Sequence, residues 1–363
     1  MPGETKWIGV TGTNGKTSIT SFIAQLSRAC GHPAAAVGQR VELEGKALDR
    51  RIIRRFGGSL PRFFGHLHQN LGCRVIACEV YSAAIMRGAH AGIPYDAAVF
   101  SNLASDHQDV HGSDKKYRRD KLRFLDGLPS GTPVFIPDIA ERISQIHDTA
   151  SAAGLDPQIV DTGQCPRPFP DDFMNTNLAL ALAVCRSIGM DATVLESACQ
   201  HLSCPPGRMV RRRLPAGGQV IVDFAHNPHG LETVLGSLRG QVESELVLIL
   251  SSKGGWSREK RQRMGEVAGR FADRVCITDD DPRDEDPALI RAQLRTRADF
   301  EIVPDRATAI RKLMTRLGCG DTLLIAGRGE DDYFVTAFGR KLHNDLTVVD
   351  RTINTMNAPV QGA

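Results

Sequence analysis

Residues 11–18 read TGTNGKTS, and the reading of this octet decides the fold. It follows a short apolar run, KWIGV (6–10), and leads into TSITSFIAQLSRACG (17–31), whose apolar residues recur at helical spacing up to Gly31. Strand, glycine loop and helix in that order present consecutive backbone N–H groups to a phosphate at a helix N-terminus, with no bulky side chain in the way. Gly12 and Gly15 permit close approach, with Thr13 and Asn14 between them in the loop. Lys16 adds a mobile positive charge, the Thr17 hydroxyl suits Mg²⁺, and Ser18 completes the phosphate-binding set. The strict G-x-x-x-x-G-K-[ST] pattern fails because Val10 stands at its first glycine, so a generic kinase or GTPase fits less well.

The bulk composition limits what such a loop can serve. A chain of 363 residues with 41% hydrophobic and 24% charged residues is an ordinary globular protein of two domains. Its net charge of +3, from 45 basic and 42 acidic side chains, excludes general nucleic-acid or membrane binding. Local basic clusters are RRIIRR (50–55) and RRR (211–213), each read either as a solvated face or as a contact for an anionic substrate. Nine cysteines without a C-x-x-C pair indicate neither a zinc site nor a disulfide framework, as expected in a reducing cytoplasm. MPGETKWIGV is no leader peptide, and no run reaches the ~18 apolar residues that span a bilayer.

Apolar runs at RVIACEV (74–80) and DAAVFSNL (96–103) read as buried parallel strands, covered by the helical patterns DKKYRRDKLRFL (114–125) and MNTNLALALAVCRSIG (174–189). CPPGRM (204–209) reads as a linker. Beyond it five strand-like runs alternate with four helix-like ones, which predicts a second doubly wound sheet. The expected architecture is α/β throughout: a P-loop ATPase-type parallel-sheet domain over residues 1–206, then a smaller Rossmann-like α/β domain over 207–363. The chain after Asn354 reads as a frayed tail.

GVTGTNGKTS resembles the nucleotide loop of the Mur ligases, ATP-dependent enzymes that join a carboxylate to an amine. The resemblance continues in family order through EVYS, SNLASDHQDVHG, YRRDK, PGRM, VDFAHNP, KRQRMGEVAGRFAD, TDDDPRDEDP and AGRGEDDY, over most of the chain. It implies activation of the carboxylate as an acyl phosphate, with ATP and Mg²⁺ as cofactors and ADP and phosphate released. Glu79 and His107 match the family's metal ligands and stand at the C-terminal ends of strands, where such folds place ligands. Lys121, an ordinary base on an amphipathic helix by pattern alone, matches by its spacing from Asp106-His107 a lysine that carries a carbamate and binds a second magnesium. Arg208, Asp223 and His226 match residues that meet phosphate and ribose, with Arg208 among the catalytic set. Asn177 matches one of two adenine-side asparagines, the other being Met174 here. For the amine, the branch that adds the third residue of the peptidoglycan precursor offers counterparts of Asp281, Arg283, Gly327 and Asp331. Trp256 stands where that branch has a second substrate-binding arginine.

Family enzymes carry an additional N-terminal domain for the UDP-sugar, whereas eleven residues precede Gly12 here. The resemblance therefore leads to an acceptor carboxylate that is not UDP-linked, or to another protein that supplies that surface. The acceptor motifs differ as well, reading RRFGGSLP and EVYSAA, so Arg54, Arg55 and Ser82 become candidates for gripping a different, anionic acid. The expected partners are a small-molecule carboxylate and an amino acid, with neither nucleic acid nor membrane. A non-catalytic or partner-dependent nucleotide-binding subunit and a folylpolyglutamate-type ligase are the alternatives. Retention of Lys16, Glu79, His107, Lys121 and Arg208 argues against the first, and DDDPR (279–283) against the second.

Overall fold

In this computed structural model, residues 4–104, 112–140 and 142–357 are described. The chain divides into two compact units, residues 1–203 and 204–363. In the first, β1 (Lys6–Thr11) lies inside an eight-stranded sheet of order β4-β3-β2-β5-β1-β6-β7-β8, whose other strands are β2 (Ala34–Val37), β3 (Val41–Leu43), β4 (Lys46–Leu48), β5 (Val75–Glu79), β6 (Ala97–Phe100), β7 (Pro133–Pro137) and β8 (Asp156–Val160). From β2 to β8 neighbouring strands run parallel, and β3 and β4 fold antiparallel onto the β2 edge. The antiparallel edge was not legible in the sequence, where these strands are three and four residues long. Asp96 fixes the start of β1: its carboxylate accepts from the Trp7 amide and the Lys6 ammonium, each at 2.9 Å.

The helix Lys16–Ala29 follows the loop directly and buries Ile19, Phe22, Ile23 and Leu26, an i, i+3, i+4, i+7 stripe. That stripe packs on the sheet and on the helix Asp172–Ser187, with Phe22 stacked on Phe169 at 5.2 Å between ring centroids. Truncating Phe22 to alanine would cost ~3–5 kcal/mol. Gly9 sets the height of another helix, Asp114–Asp126, because a Cβ at Gly9 would stand 2.5 Å from the Phe124 ring. The missing side chain lets this helix lie close to β1 and brings Tyr117 and Lys121 under the glycine loop.

The second unit holds a six-stranded sheet of order β13-β12-β11-β14-β10-β9, from β9 (Val210–Arg213), β10 (Gln219–Val222), β11 (Leu246–Leu250), β12 (Arg274–Ile277), β13 (Glu301–Ile302) and β14 (Thr322–Ile325). All pairs are parallel except β9 with β10. The RRR cluster thus forms an edge strand, where Arg211 meets Gln219 and Gln241 and Arg212 meets Asp350. A hairpin, β15 (Tyr333–Thr336) with β16 (Gly339–Leu342), follows β14. The last helix runs Asp345–Asn357, so the chain stays helical past Asn354 where sequence reading expected fraying: Asp345 is locked by Arg306, and Val349 and Thr352 bury one face of the helix. All nine cysteines are free thiols. Among the described residues no helix is long and apolar enough to cross a membrane.

Candidate active site

The loop between β1 and its helix is a cradle that only glycine can line. Gly12 has φ 137°, and a Cβ there would stand 1.8 Å from Ser101 Oγ; Gly15 has φ 89° and lies against Asn177. Asn102, just beyond β6, fixes the loop, since its side-chain oxygen accepts from the Thr13 and Asn14 amides at 3.1 Å each. Ser101 donates to the Asn14 carbonyl at 2.6 Å. Gly15 is the N-cap of the helix and brings no side-chain acceptor, so no capping carboxylate competes with an incoming anion for the helix N-terminus. Lys16 is half-buried, not solvent-facing, and its ammonium donates to the carbonyls of Gly12 at 2.8 Å and Thr13 at 2.7 Å.

Beside this cradle stand oxygen donors suited to a hard cation. Thr17 Oγ1 donates to Glu79 Oε1 at 3.1 Å, and Tyr81 OH donates to Glu79 Oε2 at 2.9 Å. Glu79 ends β5, is 4% exposed, and needs Gly38 opposite it, where a Cβ would stand 1.8 Å from Oε1. A hydroxyl and a carboxylate side by side at a phosphate loop form the donor set that Mg²⁺ prefers. Lys121 is 2% exposed, with its ammonium 3.0 Å from the Gly12 carbonyl and 5.0 Å over the Tyr117 ring, so it is not the solvated base its helical pattern allowed. Tyr117 OH donates to Thr13 Oγ1 at 3.2 Å. His107 lies outside the described residues. Among the described residues no three His, Cys, Asp or Glu side chains converge as a metal site.

Asn177 is buried beside Gly15, and the Ser18 hydroxyl donates to the Met174 sulfur at 3.7 Å, so the departure at 174 fills the helix interface with a thioether. Ser82 is buried in the short helix Ser82–Met86 immediately after β5. Arg54 and Arg55 are exposed on the 3₁₀ turn Arg50–Phe56, and the structure does not bring them to the loop by any hydrogen bond among the described residues.

In the second unit the candidate residues gather at the C-terminal ends of β10, β11, β12 and β14. Asp223 is 5% exposed; its carboxylate accepts from the Met209 amide at 2.9 Å and the Ala225 amide at 2.7 Å, which pins the turn carrying Arg208. The Arg208 guanidinium lies 4.2 Å over the Phe224 ring, and His226 packs between Phe224 and Trp256 at 4.8 and 5.6 Å. Gly327, φ 108°, sits between Ser251 and Asp280. The DDDPR carboxylates are each partnered. Asp279 pairs with Arg291 and Asp280 with the buried Arg328, while Asp281 Oδ1 accepts from Arg328 at 2.8 Å and from the Val335 amide at 3.0 Å. Lys253 Nζ lies 2.8 Å from Asp331 and 3.3 Å from Asp281. Arg283, φ 53°, is exposed, and its guanidinium makes no hydrogen bond or salt bridge among the described residues.

A family model for the Mur ligase middle domain matches residues 10–196, and one for the Mur ligase glutamate ligase domain matches residues 207–329. The chain belongs to the Mur ligase family. It is similar to the UDP-N-acetylmuramoyl-L-alanyl-D-glutamate--2,6-diaminopimelate ligases of Caulobacter vibrioides and Vibrio vulnificus, at 31% and 32% identity over 91% and 92% of this chain and 75% and 74% of those proteins. A solved structure of a ligase of that name superposes with a TM-score of 0.63 at 25% identity, over 98% of this chain and 80% of the other. The bifunctional folylpolyglutamate synthase/dihydrofolate synthase of Yersinia pestis, solved with AMPPNP and a Mn ion, superposes with a TM-score of 0.70 at 20% identity, over 90% and 87%; this likeness concerns the fold alone. As a Mur ligase, the protein is an ATP-dependent ligase of the amide-forming type.

Several residues that build this Mur ligase site have a role the sequence did not show, although Tyr81, Ser101 and Asn102 stand in the matched runs EVYS and SNLASDHQDVHG. Gly38, Ser101, Asn102 and Tyr81 act on the loop or on Glu79 only once β2, β5 and β6 stand beside β1. Lys253 was hidden in a loop whose register with DDDPR is set in space. The one available signal was its place in the strand-to-helix loop after β11, the kind of position from which α/β sheets address ligands.

Proposed function

We propose that this Mur ligase activates a carboxylic acid not linked to UDP as its acyl phosphate, with release of ADP, and transfers the acyl group to the amine of an amino acid. The observation that carries the reading is the 3.1 Å contact between Thr17 and Glu79 at the mouth of the glycine cradle. Gly12, Gly15 and the amides from Thr13 to Ser18 receive the ATP phosphates, and Asn177 bounds the nucleotide side. The Lys16 ammonium, now on loop carbonyls, exchanges those partners for phosphate oxygens. Thr17 and Glu79 fit Mg²⁺, and His107 together with a carbamylated Lys121 completes the expected ligand set. Bound there, the metal neutralises charge on the transferring phosphoryl and on the attacking carboxylate.

Phosphorylation of the acid breaks the β–γ bond of ATP and forms a carboxyl-phosphate bond; the amine then attacks the carbonyl carbon, and phosphate leaves. Arg208, carried on the Phe224 face, is assigned to phosphoryl charge, and Asp223 and His226 to the nucleotide. Arg283 holds a carboxylate of the amino acid, with Gly327 and the Asp281–Asp331 pair around it. An acceptor other than a UDP-linked one is supported by the rebuilt acceptor motifs, in which Ser82, Arg54 and Arg55 are the candidate contacts. Pairs of acids and amino acids screened for ADP release, with the product detected by mass, test the reading. An acid–amino acid pair that releases ADP and yields their condensation product supports it. Turnover only with a UDP-linked precursor would refute the acceptor assignment.

A further inference from the structure

We propose that Lys253 is a built-in ammonium that satisfies the acidic side of the amine pocket, so that this protein selects an amino acid ending in a second carboxylate and rejects one with a distal ammonium. The inference rests on the reading of the Arg283–Asp331 region as the amine pocket, and it names the chemistry of that pocket's ligand.

Two loops carry the argument. The first, after β11, contains Lys253, Gly254 and Gly255; the second, after β12, contains Asp280, Asp281 and Arg283. They are fastened together, because the Gly254 amide donates to the Asp281 carbonyl at 2.7 Å and a Cβ at Gly254 would stand 2.0 Å from the Pro282 carbonyl oxygen. That contact fixes where Lys253 emerges. Its ammonium bridges Asp331, at 2.8 Å, and Asp281, at 3.3 Å, with a side chain only 15% exposed. Burial alone would lower its pKa, but the charges of Asp280, Asp331 and Asp281 outweigh burial and raise it, so the group stays an ammonium.

The charges around the pocket decide what it can accept. Asp280, Asp281 and Asp331 face Lys253 and Arg328, and the exposed Arg283 makes the cations equal in number to the carboxylates; the bordering charges Arg306 and Glu285 are each paired, with Asp345 and Arg261. Without Lys253 the same ring would carry one excess negative charge, which an ammonium from outside would neutralise. With it, an arriving ammonium meets carboxylates already bridged by a cation and must approach that cation across a partly buried space, where like charges repel strongly. Arg283 is the cation left to receive a ligand. A fork-shaped guanidinium on a strained backbone, beside Gly255, suits a carboxylate.

A matched pair of seven-carbon amino acids isolates the effect: 2-aminopimelate and 2,6-diaminopimelate differ only in the distal amine. Their affinities for the full chain with Mg²⁺ and ADP, read by saturation-transfer NMR titration, are compared in the native protein, Lys253→Gly and Lys253→Arg. The expected result is at least tenfold tighter binding of 2-aminopimelate by the native protein. Lys253→Arg should retain that order and Lys253→Gly reverse it. Tighter binding of diaminopimelate by the native protein, or an unchanged ratio in a folded Lys253→Gly, overturns the inference and leaves the amine-pocket reading standing. Binding of neither amino acid to any form that still binds ADP overturns the pocket reading and the inference together. Should Lys253→Gly fail to fold, the native comparison and Lys253→Arg still decide.

Discussion

Thr17 and Glu79 are brought within 3.1 Å of one another although they stand 62 residues apart, Thr17 in the first turn of the helix after β1 and Glu79 at the end of β5. The contact exists because β5 pairs parallel to β1 with Glu79 opposite Val10, and because Gly38 leaves the space that Glu79 occupies. Lys16→Ala should therefore abolish ATP-dependent amide formation with a stability change of no more than ~3 kcal/mol, since the half-buried lysine makes two hydrogen bonds to loop carbonyls and lies 5.8 Å over the Tyr81 ring. Gly38→Ala should retain nucleotide binding but lose ~10²-fold in kcat/KM, about 2.7 kcal/mol, by displacing the carboxylate. Steady-state kinetics and urea unfolding check both; near-normal turnover in Lys16→Ala would dismiss the phosphate-loop assignment.

Carbamylation of Lys121 deprotonates its ammonium and joins the resulting amine to carbon dioxide, with two protons lost in all, and so turns a buried cation into a carboxylate. ¹³C-bicarbonate should give a carbamate resonance in the native protein that Lys121→Ala lacks, and a short-chain carboxylic acid should restore part of the turnover of that variant. An active, metal-bound protein whose Lys121 remains a plain amine would contradict this assignment.

Asp281 and Arg283 do not pair across their turn; Asp281 is taken by Arg328 and Lys253, which leaves the Arg283 guanidinium exposed. Arg283→Ala should lose at least ~10-fold in kcat/KM for the amino acid, about 1.4 kcal/mol, with much less effect on ATP. Equal losses for both substrates, or a preference for simple apolar amino acids, would reject the assignment.

Arg306 and Asp345 form a fully buried pair, with two contacts of 2.8 Å, and His343 adds a third to the same carboxylate. Burial alone would raise the Asp345 pKa, but Arg306 outweighs it and His343 adds to the effect, holding the carboxyl well below the usual range. A carboxyl depressed in the folded state stabilises the fold above its unfolded value near ~3.9, and that contribution is lost as pH falls through the folded value. Asp345→Asn, which leaves Arg306 buried without its counter-charge, should cost ~3–5 kcal/mol at pH 7. The deficit relative to the native protein should shrink as the pH is taken below ~4, and urea unfolding at pH 7 and pH 3 checks this. An equal deficit at both values would count against the pair.

Where hydrophobic periodicity was unbroken, the sequence was enough: the strand, loop and helix of residues 6–29 and the five strands and four intervening helices after residue 218 need only local pattern and turn chemistry. Short strands such as Val41–Leu43 and Gly339–Leu342 escaped notice because three or four residues carry no period, although each pairs with a strand only a few residues away in the chain. Lys121 shows the same limit at the site. Its helix pattern placed it among surface bases, and it is buried only because Gly9 admits Phe124 against β1. The partners of Asp281 and Asp331 were illegible for a related reason, since Lys253 reaches them across two loops separated in sequence and joined by one backbone hydrogen bond.

In the proposed reaction a carboxylate takes a phosphoryl group before it meets an amine. Single-turnover reaction of the native protein with ATP, Mg²⁺, the amino acid and an acid labelled with ¹⁸O in its carboxylate, followed by mass analysis of the released phosphate, reads that step directly. The predicted result is one ADP and one phosphate per amide, with one ¹⁸O carried from the acid into the phosphate. Release of AMP and pyrophosphate, or amide formation with unlabelled phosphate, would contradict it.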